Sequence, residues 1–120
     1  MPLVLVYFET PAFSKMVWFA VVKVDREIEC VVASKHEEAA ALLVAESWDM
    51  AVVGFEPDDV ALVELCAREG IPSLVGVCVD TPEHEVLARG HGATRCWRWP
   101  MQVHLLSAVI GEQLSLRSQQ

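Results

Sequence analysis

The stretch Gly70-Ile71-Pro72-Ser73-Leu74-Val75-Gly76-Val77-Cys78-Val79-Asp80-Thr81-Pro82-Glu83 contains one complete joint of a repeating architecture. Gly70 follows the apolar-periodic run Val60 to Arg68 and supplies a helix stop. Ile71-Pro72 then opens a run from Leu74 to Val79 that is apolar without alternation, as in a strand covered on both faces. Thr81-Pro82-Glu83 restarts a helix, with Thr81 at the N-cap and proline at the first helical position.

The same grammar extends in both directions. Leu3 to Phe8 is another buried-type strand, and Thr10-Pro11 begins a helix to about Val24 on Phe13, Met16, Val17, Ala20, Val21 and Val24. Ile28 to Ala33 reads as a second strand. Ser34 is placed to cap a helix from His36 to Glu46, and Met50 to Phe55 is a third strand. Asp58 and Asp59 stand at the N-cap of the next helix. Downstream, Gly90 and Gly92 end the fourth helix and Arg95 to Trp99 is a short fifth strand. Val103, Leu106 and Ile110 mark a last helix. Five βα units in this order imply parallel strands, right-handed crossovers and helices on both faces. The expected organisation is a single domain over 1–114 with a frayed tail at 115–120.

Composition limits the functions available. At 120 residues, 53% hydrophobic and 22% charged, the chain can bury a core of its own. Its net charge of −8 and the lack of any basic run argue against nucleic acid and anionic membranes as partners. No stretch is long enough to span a bilayer and no basic leader is present, so a cytoplasmic location is expected. Cys30, Cys66, Cys78 and Cys96 form no paired motif and read as free thiols.

Local details narrow the class. Gly92-Ala93-Thr94-Arg95-Cys96-Trp97-Arg98-Trp99-Pro100, the Ile71-Pro72 strand opening, Trp48-Asp49-Met50-Ala51-Val52-Val53 and Glu37-Glu38-Ala39 together resemble the receiver domain of bacterial two-component response regulators, over nearly the whole chain. The resemblance implies a flavodoxin-like (βα)5 three-layer, doubly wound sandwich with strand order 2-1-3-4-5. It implies a site at the carboxyl edge of the sheet. There the family carries two metal-binding acids, a phosphoacceptor aspartate, a hydroxyl and a lysine. Here those positions fall on Phe8 and Glu9, Gly54, Val77 and Trp99, and the family's aromatic switch position falls on Cys96. One carboxylate organises an octahedral Mg²⁺ site poorly. The resemblance therefore implies a pseudo-receiver with no cofactor and no bound metal, not an enzyme. It would be a stand-alone signalling adaptor that binds a protein partner or a second copy of itself.

Trp97, Trp99, Met101 and Cys96, near the surface that receivers use for partners, are candidates for either core filling or partner contact. Trp18 and Val22 on the outer side of the first helix, with Leu105 and Val109 on the last, form a second candidate patch. The alternative function is a small-ligand sensor using the carboxyl edge, where Gly54 leaves room. An enzyme using Cys78 is a third reading, weakened by the lack of any nucleophile–base pair. A cation site from Glu9, Glu56 and Asp80, and a metal site from His84, His91 and His104 with Cys78 or Cys96, read more simply as solvated side chains.

Overall fold

The computed structural model describes residues 2–55, 60–78, 80–99 and 101–118, with side chains as far as Ser115. Ten elements alternate along the chain: β1 (Leu3–Tyr7), α1 (Pro11–Val24), β2 (Glu29–Val32), α2 (His36–Ala45), β3 (Met50–Gly54), α3 (Val60–Arg68), β4 (Ser73–Cys78), α4 (Pro82–Gly90), β5 (Arg95–Trp99) and α5 (Val103–Ser118). All strand pairs are parallel, in the order β2-β1-β3-β4-β5. This is the flavodoxin-like order.

Strand side chains alternate between two cores. Leu5, Tyr7, Ala51, Val53, Val75 and Val77 pack beneath α2, α3 and α4, against Leu43, Leu62, Cys66 and Ala88. Val4, Val6, Phe8, Met50, Val52, Leu74 and Trp97 pack beneath α1 and α5, against Val17, Val21, Leu106 and Ile110. A sheet covered on both faces explains why the strands read as unbroken apolar runs. The edges are tied by polar contacts. The Leu3 N–H donates to the Asp49 carboxylate at 2.8 Å, and the Ser73 N–H to the Thr94 hydroxyl at 3.0 Å. Trp48, 1% exposed, donates its indole N–H to the Leu42 carbonyl at 2.7 Å.

Several local expectations change. Thr10 is the N-cap of α1, but its side chain makes no capping bond; its carbonyl accepts the Phe13 and Ser14 N–H groups. The N-cap of α2 is Lys35 rather than Ser34, since the helix begins at His36, and the Ser34 hydroxyl donates to Glu38 at 3.1 Å. Gly70 does close α3, with φ of +71°, a conformation natural to glycine. Gly90 is the last residue of α4, and it is Gly92, at φ +109°, that turns the chain into β5. α5 continues to Ser118, past the end at 114 expected from the sequence. No glycine or proline breaks it there, and Gln113 and Leu114 are held in buried positions. Asp58, Asp59, Glu56 and Val79 lie outside the described residues. Among the described residues, no helix is long and apolar enough to cross a membrane.

Candidate functional site

β1, β3, β4 and β5 all end at one edge, where parity decides which side chains meet. Phe8, Gly54, Gly76, Trp97 and Trp99 fall on the side of the sheet that α1 and α5 cover. Gly54 and Gly76 are direct partners across β3 and β4, so two neighbouring strands lack side chains at the same level. Aromatic rings take up that space. A Cβ on Gly54 would lie 2.6 Å from Cδ1 of Phe8, and a Cβ on Gly76 would lie 2.7 Å from both Cζ2 of Trp97 and Nε1 of Trp99. Neither position has room for a methyl group.

The rings pack on one another as well as on the sheet. Phe8 meets Trp97 and Trp99 at centroid separations of 6.0 and 5.9 Å, and the two tryptophans meet at 5.4 Å. Phe13, from the first turn of α1, stacks on Trp99 at 5.0 Å with planes 16° apart. These separations lie in the range where aromatic pairs attract beyond simple burial. Ser14 fixes the helix over the cluster, its buried hydroxyl accepting the Phe8 N–H at 3.1 Å. Phe8 and Trp97 are buried at 5% and 3% exposure, while Trp99 is half-buried. The buried Nε1 of Trp97 has no hydrogen-bond partner among the described residues.

Beside the cluster is a hollow of about 120 Å³, bordered by Glu9, Thr10, Phe13, Gly54, Cys78 and Trp99, and a groove of about 400 Å³ opens at the ends of β1 and β2 beside Phe8, Ala33 and Ser34. Glu9 and Asp80 are exposed. Val77 and Cys96 belong to the opposite face, in or against the core beneath α2, α3 and α4. Burial pushes the Cys96 thiol above its ordinary pKa.

The partner-binding candidates separate into three groups. Trp97 is core, and Met101 and Val109 are partly buried against that same core. Trp99, Cys96 and Val22 are half-buried. Trp18 and Leu105 are exposed, at 38% and 50%. The histidines are dispersed: His84 packs edge-on to Phe55, and His91 pairs with Glu64 at 2.8 Å. Among the described residues no three His, Cys, Asp or Glu side chains gather as metal ligands.

Two contributors were missed from the sequence. Phe13 shares the helical spacing of α1's apolar residues, yet it is 39% exposed and caps the cluster. Gly76 is the second gap in the sheet, and its signal was an isolated glycine inside an otherwise apolar strand, which marks close approach.

No family model matches the sequence, and no curated protein matches it. Solved structures do match over nearly its whole length. A response-regulator receiver domain from Clostridium thermocellum superimposes with a TM-score of 0.83 at 15% identity, covering 99% of this chain and 98% of that one. A CheY-like receiver from Methanospirillum hungatei gives 0.84 at 18% identity, with the same coverages. An orphan response regulator of H. pylori gives 0.80 at 20% identity, covering 94% and 96%. Strand order, helix placement and these superpositions agree: the chain has the fold of a response-regulator receiver domain.

Proposed function

We propose that this chain is a receiver-fold signalling adaptor that acts by protein–protein contact and takes no phosphoryl group. One observation carries the reading. At the carboxyl edge, where open parallel sheets bind ligands, Phe8, Trp97 and Trp99 fill the space over Gly54 and Gly76, and Phe13 stacks on Trp99. Phosphoryl transfer needs charge near the reacting oxygens. The uncharged phenyl and indole rings supply none. The hollow bordered by Gly54, Cys78 and Trp99, about 120 Å³, is below the roughly 300 Å³ at which small-molecule sites begin. A groove of about 400 Å³ beside Phe8, Ala33 and Ser34 is not, so a small-ligand sensor stays the second reading.

The test is incubation with acetyl phosphate and Mg²⁺ followed by intact-mass measurement. Wild type is expected to gain no phosphoryl group. Stoichiometric labelling would overturn the phosphorylation-independent reading. Affinity capture from the native cell tests the adaptor role: it fails if the wild-type chain retains no specific protein.

A further inference from the structure

One stripe of α1 borders a groove that the core leaves open. Pro11, Ser14, Lys15 and Trp18 recur at i, i+3, i+4 and i+7, so they share one side of the helix. Across from them, Val32 ends the edge strand β2, with Ala33 and Ser34 just beyond it, and Phe8 follows β1. Together they line a groove of about 400 Å³ at the carboxyl end of the sheet, where open parallel sheets take their ligands. That volume lies within the roughly 300–1,000 Å³ of small-molecule sites.

The chemistry of the lining selects the ligand. Phe8, Pro11, Trp18, Val32 and Ala33 make most of the wall apolar. Trp18 is 38% exposed and Val32 40%, so both have surface left for contact. Phe19 packs edge-on to Trp18 at 5.2 Å and steadies the indole. Both serine hydroxyls are already engaged: Ser14 accepts the Phe8 N–H at 3.1 Å, and Ser34 donates to Glu38 at 3.1 Å. Lys15 is exposed and makes no ion pair or hydrogen bond among the described residues, so its ammonium is a free donor. A full charge on the ligand finds no match here. The Glu38 carboxylate at the rim offsets Lys15, and the net charge of −8 repels anions. A cation would give up hydration against an apolar wall that contains no carboxylate. An uncharged molecule meets neither cost.

We propose that the groove binds an uncharged aromatic molecule bearing a carbonyl oxygen, a site that rests on the small-ligand reading above. The rings lie against Trp18 and Val32, and the oxygen accepts a hydrogen bond from the Lys15 ammonium. Phe8 lines the groove and also packs on Trp97 and Trp99, so the bound molecule touches the border of the aromatic cluster.

Four naphthalene probes share one ring system and differ in one substituent: 2-acetylnaphthalene, 2-ethylnaphthalene, 2-naphthoate and protonated 2-(aminomethyl)naphthalene. Amide NMR on the full chain reads both affinity and place. The ketone is expected to bind saturably and to shift resonances of Ser14, Lys15, Trp18, Val32, Ala33 and Ser34. The naphthoate and the ammonium compound should bind at least about tenfold more weakly, and the ethyl compound about fivefold more weakly. Lys15→Met should bring the ketone down to the affinity of the ethyl compound and leave the ethyl compound unchanged. Trp18→Ala should weaken both by about tenfold. Lys15→Met is a surface change, so it decides the matter even if the tryptophan variant misfolds. Tighter binding of naphthoate, shifts outside the groove, no binding up to the ketone's solubility limit, or indifference of the ketone to Lys15→Met overturns the proposal. So does Trp18-dependent dimerisation in sedimentation equilibrium, which assigns the groove to a second copy. If the ketone fails while a thermal-shift screen of metabolites finds a ligand that shifts resonances elsewhere, this site falls and the sensor reading stands. If neither the probes nor the screen yields a ligand, both fall.

Discussion

Phe8 and Gly54 act as one unit, because the ring occupies the space a side chain at 54 would need. Gly54→Asp therefore forces a Cβ to within 2.6 Å of Phe8 Cδ1 and places a carboxylate among aromatic rings. Overpacking and unpaired charge both oppose folding, and the expected loss is about 3 kcal/mol or more in urea denaturation, with no gain of phosphorylation. A variant as stable as wild type would show that the rings yield easily. Cys66 supports a second prediction at this scale. It is fully buried in the core beneath α3, and burial pushes its thiol from 9.0 up to about 12. Above pH 9.0 the unfolded chain releases this proton while the folded chain keeps it, so the folded state is the one that loses ground as pH rises. Stability should fall as pH is raised from 9.0 toward about 12, by up to about 1.4 kcal/mol per pH unit from this group. Cys66→Ala should flatten that decline; an unchanged slope in urea titrations at pH 8 and pH 10 would remove the thiol as its cause.

α1 and α5 show how an element is set by its neighbour. The Ser107 hydroxyl of α5 donates to the Ala20 carbonyl of α1 at 2.7 Å, tying the two helices side by side. One turn further along, a Cβ on Gly111 would meet Cγ1 of Val24 at 3.5 Å, an ordinary contact. Gly111→Ala should therefore raise stability by about 0.5–1 kcal/mol, since alanine is the better helix former and nothing obstructs it. A lower melting temperature for Gly111→Ala would mean that the two helices need a closer approach there. Legibility from sequence followed the same division between local and shared causes. Thr10-Pro11 and Gly70 located helix ends correctly because those residues act on their own backbone. Ser34 lies one residue before the N-cap, and its hydroxyl bonds Glu38 instead of the helix end. Phe13 misled because its spacing along α1 matched the buried stripe. Its actual position is fixed by Trp99, which lies far along the chain. Gly54 was legible as a gap at the end of the third strand. That Phe8 fills the gap rather than leaving it open depended on which face of the sheet each strand end presents, and that is a property of register.

For the molecule as a whole, the question is whether any second state is accessible to the chemistry that operates receivers. A ligand changes a conformational equilibrium only through different affinities for the two states. Mg²⁺ and a phosphoryl mimic would have to bind at the carboxyl edge, where Phe8, Trp97 and Trp99 interlock beneath the first turn of α1. To enter, they would have to displace rings that bridge β1 and β5, and Phe13 of α1 stacks on one of those rings. Binding to the native state at 100 times Kd would add about 2.7 kcal/mol, an increment readily seen as a rise in melting temperature. We therefore expect the melting temperature in millimolar Mg²⁺ and beryllofluoride to equal that in buffer alone. A saturable rise would mean that the edge opens to anions, and the rings would then be a gate over a working site. No rise is the outcome expected if the packed rings close the edge to both ions, because displacing them would cost more than the bound ions return.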